Sequence, residues 1–401
     1  MRNNELVLIT VLLSLLKLFS VDSLVTSDLM SHLSSSEMTR VATCTKSSSD
    51  VNQGERNDAF HPLTTFGVLA DIQYAPIPDG FSYGGVPRYY RHSLSTAKHA
   101  ALHFEKEKVS MLINLGDIID GKCQEMEHHI EDPASLQGRL LIEPGHAAVD
   151  DVLNALSAYK SGPILHTYGN HELYNLDRED IAEKLQIPFV KESCDELVGY
   201  YSMESPCGIV RFVILDSYDI ALMKRQTSKK AKAMEILSKN NPNYPDQENS
   251  PEGLEGLEKR FVAFNGAVDV PQIEWLRSTL EEAKVKGEKV IILSHQPILP
   301  GSSSPVCLIW NYDVVLNLLR EYKCTVAAAF AGHAHRGGYK RDEESGIHFR
   351  VFEAALESND PVKTYAFVDV YQDRIAVRGL GDCKSADYDL DHMQDELHSR
   401  M

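Results

Sequence analysis

What the chain lacks narrows it first. Its seven cysteines stand at 44, 123, 194, 207, 307, 324 and 383, and no two are spaced C-x-x-C. That removes a thiolate zinc site and an evident disulfide framework, and the odd count favours reduced thiols packed as small hydrophobes. Basic charge is scarce: 40 Lys and Arg against 58 Asp and Glu leave a formal charge of −18. A nucleic-acid or anionic-membrane binder needs a basic face, so neither partner is expected. No stretch reaches the roughly 18 apolar residues of a membrane-spanning helix; the apolar run Leu6 to Leu16 is broken by Thr10 and Ser14. There is no Asn-x-Ser/Thr acceptor, no heptad pattern and no internal repeat.

What is present reads as a soluble globular protein: 401 residues, 43% apolar and 24% charged. That length suits one large α/β domain with insertions better than several small ones. Residues 1–60 are expected to be a targeting-like or disordered segment. Leu6 to Leu16 suits a signal-peptide core, yet Arg2 is the only basic residue before it and Lys17 interrupts it. Cytoplasmic location is the expectation, with secretion or organelle import through residues 1–23 as the alternative. The folded domain is assigned to 61–385, with 226–260 as a cap insertion or a plain solvated excursion, and 386–401 as an acidic tail. A monomer is expected.

From residue 63 onward the pattern alternates strand and helix, as parallel crossovers require. Helices are expected at Tyr89 to Lys106, Ala147 to Tyr159 and from Pro271 to Gly287. Antiparallel hairpins are expected at Tyr200 to Leu215 and in two late stretches, His348 to Glu353 and Tyr365 to Val377. Five apolar segments end in a polar pair or triplet: Asp71-Ile72-Gln73, Gly116-Asp117, Gly169-Asn170-His171-Glu172, His295 and Gly332-His333-Ala334-His335. One Gly-Asp is an ordinary turn. Five such ends on one α/β sheet system point to the carboxyl edge where such sheets place their sites.

The donors are Asp71, Gln73, Asp117, Asn170, His295, His333 and His335. Carboxylate, amide and imidazole together suit Mn²⁺, Fe or Zn²⁺. On extended chain Asp71 and Gln73 would share a side, as would His333 and His335. Seven donors exceed one ion and match two that share Asp117. Two ions about 3.5–4 Å apart activate water at neutral pH and neutralise a phosphate in line with it.

Asp-x-Gln, Gly-Asp, Gly-Asn-His-Glu, His and Gly-His-x-His, in that order, resemble the calcineurin-like metallophosphoesterases. The resemblance spans about residues 64 to 382. It implies a β-sandwich of two mixed sheets flanked by helices, a metallophosphoesterase-type α/β fold. Glutamine at 73, where that superfamily usually has histidine, is similar to the manganese-dependent ADP-ribose/CDP-alcohol diphosphatases. So are Arg88-Tyr89-Tyr90-Arg91-His92 and Phe264-Asn265-Gly266. The resemblance implies one metal on Asp71, Gln73, Asp117 and His335, and a second on Asp117, Asn170, His295 and His333. It implies Mn²⁺ as the preferred ion, with Mg²⁺ usable for some substrates. His171 would donate to the scissile phosphate or leaving group, with Asn170 beside it; the plainer reading of His171 is a residue that only orients Asn170. Tyr83, Arg88, Arg91, Phe264, Asn265 and Cys307 would contact a nucleotide diphosphate, although Tyr83, Arg88 and Arg91 equally suit a packing cluster at a helix start. Asp216 reads as structural or as a loop cap.

The expected activity is Mn-dependent cleavage of the pyrophosphate in ADP-ribose and CDP-alcohols to two monophosphates. The rivals are a phosphomonoesterase or cyclic-nucleotide phosphodiesterase on the same scaffold, and a non-catalytic binding module that kept the fold.

Overall fold

Apolar runs without alternation mark strands covered on both faces, and Lys289–Ser294 and Val326–Ala331 are buried at every position. The computed structural model describes residues 61–128, 143–188, 190–191 and 197–393; the expected N-terminal segment lies outside them. Its strands are β1 (Thr64–Leu69), β2 (Leu112–Asn114), β3 (Ile164–His166), β4 (Tyr201–Glu204), β5 (Val210–Ile214) and β6 (Lys289–Ser294). They continue with β7 (Val326–Ala331), β8 (Arg336–Arg341), β9 (His348–Glu353), β10 (Tyr365–Val370), β11 (Arg374–Leu380) and β12 (Ala386–Asp389).

Two six-stranded mixed sheets result, ordered β12-β11-β10-β1-β2-β3 and β8-β9-β7-β6-β5-β4. In the first, β1, β2 and β3 run parallel, and β10 to β12 return antiparallel. In the second, β5, β6, β7 and β9 are parallel, with β4 and β8 as antiparallel edges. The sheets share one apolar core. Phe66 of the first meets Phe212 of the second edge-on at 5.0 Å between ring centroids.

Helices cover the outer faces. On α1 (Tyr90–Lys106), Phe104 packs edge-on against Tyr365 and Phe367. It presses so close to β1 that a Cβ at Gly67 would sit 2.6 Å from the ring. Between β2 and β4 lie α2 (Pro144–Leu156), α3 (Asn170–Asn175) and α4 (Arg178–Leu185). The second sheet is covered by α6 (Val270–Lys286) and α7 (Tyr312–Glu321), whose leucines join Val290 and Ile292 in a separate cluster. Asp269 caps α6 and Gly287 ends it at φ 70°, the usual asymmetry of helix ends. Among the described residues no helix is long and apolar enough to cross a membrane.

Two expectations shift. Ala386–Asp389, placed in the acidic tail, forms the edge strand β12, because Tyr388 and Leu390 turn into the core. The antiparallel hairpin expected at His348–Glu353 is made with the preceding strand β8, and the other edge of the strand pairs parallel with β7, which was not expected. The stretch 226–260 holds α5 (Thr227–Asn240) and a turn-rich segment, with its own small cluster of Ala233, Leu237, Phe261 and Trp310.

Asp216 anchors the chain after β5. Its buried carboxylate accepts from Arg178 Nη1 at 2.7 Å, Arg225 Nη2 at 3.2 Å and the Tyr218 amide at 3.0 Å. Removing it takes a carboxylate from two buried guanidinium groups, leaving Arg178 its bond to the Tyr218 carbonyl and Arg225 its longer contact with Asp219 at 3.4 Å. Asp216→Ala is expected to lower unfolding free energy by about 3–5 kcal/mol, read from the urea midpoint.

Candidate dinuclear metal centre

Beyond the parallel strands the backbone turns sharply, and it does so in left-handed geometry. Asp71, Gln73, Asp117 and His333 have φ of 49°, 42°, 55° and 66°, values that cost a side-chain-bearing residue about 1–3 kcal/mol each. Asp71 and Gln73 therefore reach one site through kinks, not through strand alternation. The loops run together: Gln73 N–H donates to the Asp117 carbonyl at 2.8 Å and Tyr74 N–H to the Ile118 carbonyl at 3.0 Å.

Asp117 lies at the centre with 1% exposure. Its Oδ2 is 3.2 Å from His295 Nε2 and accepts from Gln73 Nε2 at 3.1 Å. Its Oδ1 accepts the His171 amide at 2.8 Å. One donor atom from each of Asp117, His295 and His333 lies within 4.8 Å of the others. Asp71 accepts the His333 amide at 3.0 Å and faces His335 Nε2 at 3.7 Å, which in turn lies 2.9 Å from Gln73 Nε2. Asn170 opens α3 and takes the Tyr218 hydroxyl on Oδ1 at 3.1 Å.

The motif glycines make room for these side chains. A Cβ at Gly116, whose φ is 91°, would meet His295 Nδ1 at 2.5 Å, and one at Gly332 would meet Asp71 Oδ2 at 2.7 Å. At Gly169 it would strike Asp117 Oδ1. Here glycine admits the protein's own donors.

Each imidazole is held by its far nitrogen. His295 Nδ1–H donates to the Leu115 carbonyl at 2.6 Å, His335 Nδ1–H to Glu357 Oε1 at 2.8 Å, and His333 Nε2–H to Asn265 Oδ1 at 2.9 Å. That leaves one lone pair per ring toward the centre, the arrangement that raises ligand basicity at metal sites. His295 Nε2 and Gln73 Oε1 are buried without a hydrogen-bond partner.

The field favours positive charge. Burial would raise the Asp117 pKa, but the imidazoles of His295 and His171 reverse this and hold it well below the carboxylate range. Burial depresses His295, and the Asp117 charge more than offsets it, lifting the ring to about 9. Burial and the neighbouring Asp117 push Glu172 up to about 8. Glu172 Oε2 accepts from the Asp117 and Gly169 amides at 3.1 and 3.0 Å, joining two of the loops. Buried, partnerless ligand atoms around a carboxylate that attracts positive charge fit divalent ions, and mixed oxygen and imidazole donors suit Mn²⁺.

A cleft of about 910 Å³ opens over this centre, lined among others by Gln73, Arg88, Asp117, Asn170, His171, Phe264, Cys307, His333 and His335. Three expected pocket residues fall elsewhere. Tyr83 projects fully into solvent while its neighbours Ser82 and Gly84 line the cleft, because it stands in the tight turn that the Gly85 amide closes on the Ser82 carbonyl at 2.9 Å. Arg91 is exposed, one position beyond the buried face of α1 that starts at Tyr90. Asn265 is buried behind His333 and orients it. Sequence reasoning missed Glu357 and Tyr218, which carry no motif, and Asp120, whose Oδ2 lies 3.4 Å from His171 Nδ1 and 3.5 Å from Arg88.

The calcineurin-like phosphoesterase family model matches residues 64–337, which contain all seven donors, and the chain belongs to that family. It is 41% identical over 332 residues to the manganese-dependent ADP-ribose/CDP-alcohol diphosphatase of Oryza sativa, covering 82% of this chain and 94% of that one. The protein of the same description from Arabidopsis thaliana is 36% identical over 334 residues, covering 82% and 98%. A crystal structure of a dimetal phosphatase from Danio rerio matches at TM-score 0.73 and 32% identity, covering 82% of this chain and 99% of that one.

Glu357→Ala frees the His335 ring and is expected to weaken Mn²⁺ binding about 10–100-fold. Titration calorimetry on metal-stripped protein measures this, with circular dichroism to show the fold intact.

Proposed function

We propose that this protein is a manganese-dependent diphosphatase that cleaves the pyrophosphate bond of ADP-ribose and CDP-alcohols, releasing two monophosphates. The observation that carries the reading is the gathering of Gln73, His295 and His333 around the buried Asp117 beneath a nucleotide-sized cleft, in a chain 41% identical to a diphosphatase of that description.

Asp71, Gln73, Asp117 and His335 hold one ion, and Asp117, Asn170, His295 and His333 hold the other. Gln73 contributes the buried Oε1 that has no hydrogen-bond partner. When bound, the ions neutralise phosphate charge and activate water as a nucleophile. Mn²⁺ is the preferred ion, and Mg²⁺ serves some substrates.

His171 donates a hydrogen bond to the scissile phosphate. Its Nδ1 accepts the Gly121 amide at 2.7 Å, so the neutral ring carries its proton on Nε2, on the side of Asp117 and the cleft. That proton meets the oxygen charge that grows on the phosphate as the anhydride opens. Arg88, in the cleft wall, adds a fixed positive charge for the departing phosphate, and its contact with Asp120 sets its direction. Phe264 and Cys307 form the less polar wall.

His171→Ala is expected to lower kcat about 10²–10⁴-fold with Mn²⁺ binding retained. Asp117→Ala should abolish both turnover and metal binding. Product analysis on ADP-ribose, CDP-choline, 4-nitrophenyl phosphate and cyclic AMP tests the substrate class. Preference for either of the last two would overturn the diphosphatase reading.

A further inference from the structure

The segment 226–260 gives the cleft wall one polar side chain, Asn249. It is exposed, yet the backbone on both sides of it is pinned. The Glu248 carbonyl accepts from Asn241 Nδ2 at 3.1 Å and from the Ala263 amide at 2.9 Å. The Ser250 carbonyl accepts from Asn243 Nδ2 at 3.0 Å. Asn241 is buried and fixed in turn, donating to the Phe261 carbonyl at 2.8 Å and accepting the Asn243 amide at 2.9 Å. The backbone that carries Asn249 is thus held in place before any ligand arrives.

The bond from Ala263 to Glu248 sets two chain segments side by side, and the next residue on each, Phe264 and Asn249, opens into the cleft. Phe264 offers an aromatic face, with Val306 and Cys307 extending the apolar wall. Asn249 offers a donor and an acceptor in one plane. A face for stacking beside a planar donor–acceptor pair is what a heterocyclic base requires.

We propose that Asn249 is a specificity-determining residue that reads the hydrogen-bonding edge of the substrate's nucleobase. The proposal rests on the diphosphatase reading. Adenine and cytosine each present an amino donor beside a ring-nitrogen acceptor, so one carboxamide pairs with either. The residue therefore acts on binding of the nucleoside half, and the ions and His171 act on the phosphates.

The test uses full-length protein with Mn²⁺ and four substrates: ADP-ribose, its analogue lacking the 6-amino group, CDP-choline, and the base-free bis(4-nitrophenyl) phosphate. Asn249→Ala is expected to lower kcat/KM for ADP-ribose and CDP-choline about tenfold, chiefly through KM, and to leave the base-free ester unchanged. The deamino analogue should lose against wild type and lose nothing further against the variant. Asn243→Ala, which removes the side-chain bonds to the Ser250 and Glu252 carbonyls and leaves the Glu248 side of the frame, should give the same substrate pattern at smaller size. Equal losses on ADP-ribose and the base-free ester, or independent losses from the amino group and the carboxamide, would overturn the proposal. A wild type that cleaves ADP-ribose beside an indifferent variant overturns it alone; a wild type that does not cleave ADP-ribose overturns the diphosphatase reading as well.

Discussion

A carboxylate kept out of water is the constraint around which this molecule is arranged. Asp117 is almost wholly buried, and an isolated buried charge is costly unless it is paired and hydrogen-bonded. The chain answers with imidazoles, an amide side chain and a backbone amide brought from three other loops. The loops at Asp71 to Gln73, Asp117 and His333 leave their strands in left-handed turns, and glycine stands at positions 116, 169 and 332, where a Cβ would block a donor. Strain of that kind persists only when surrounding structure over-determines it. The core shared by the two sheets supplies the determination, since β1, β2 and β3 lie in one sheet and β6 and β7 in the other. Relative displacement of the sheets would separate Asp117 from His295 and leave both charges unpaired.

The same economy governs the residues one layer out. Each ligating ring is turned by a different acceptor: a backbone carbonyl for His295, a carboxylate for His335, a carboxamide for His333. Asn265 also donates to the carbonyls of Arg260 and Val306, so the orientation of His333 is tied to two loops at the cleft wall. A change in that wall is therefore transmitted to the metal centre through one side chain. Tyr218 makes a comparable link: its hydroxyl meets Asn170, and its amide and carbonyl are held by Asp216 and Arg178.

How much of this could be read from residues alone follows from where the signal lies. The strands that deliver ligands are apolar and end abruptly, so their existence and their polar ends were visible, and the order of the motifs placed the chain in its family. The edge strand Arg336–Arg341 was not visible, because its residues are glycine and charge and it gains its place by pairing with β9. At His348–Glu353 the antiparallel pairing was legible and the parallel neighbour β7 was not, because one buried apolar run suits either kind of partner. Expecting alternation at Asp71 and Gln73 led to the right side of the site for the wrong backbone reason. Glu357 could not be found at all: a lone glutamate after an apolar pair carries no signal until the fold brings it to His335. Tyr83 and Arg91 illustrate the opposite error, in which residue type suggested a contact that loop and helix geometry direct into solvent.

Chemistry and selectivity are divided between different kinds of structure. The candidate ligands and His171 sit at the ends of strands or at the first turn of a helix that follows one, where positions are set by the core. Other residues that line the cleft sit on longer connections: Phe264 beyond the 226–260 stretch, Cys307 in the loop after β6, and Asn249 within that stretch. A connection can change length or composition without disturbing Asp117, provided its anchoring bonds remain. Asn249 meets that condition, because the asparagines that hold its neighbours do not themselves contact the metal ligands. Substrate preference can consequently drift on this scaffold while the dinuclear centre stays fixed, whereas any change that moves a donor must also relieve or deepen the strain at the strand ends.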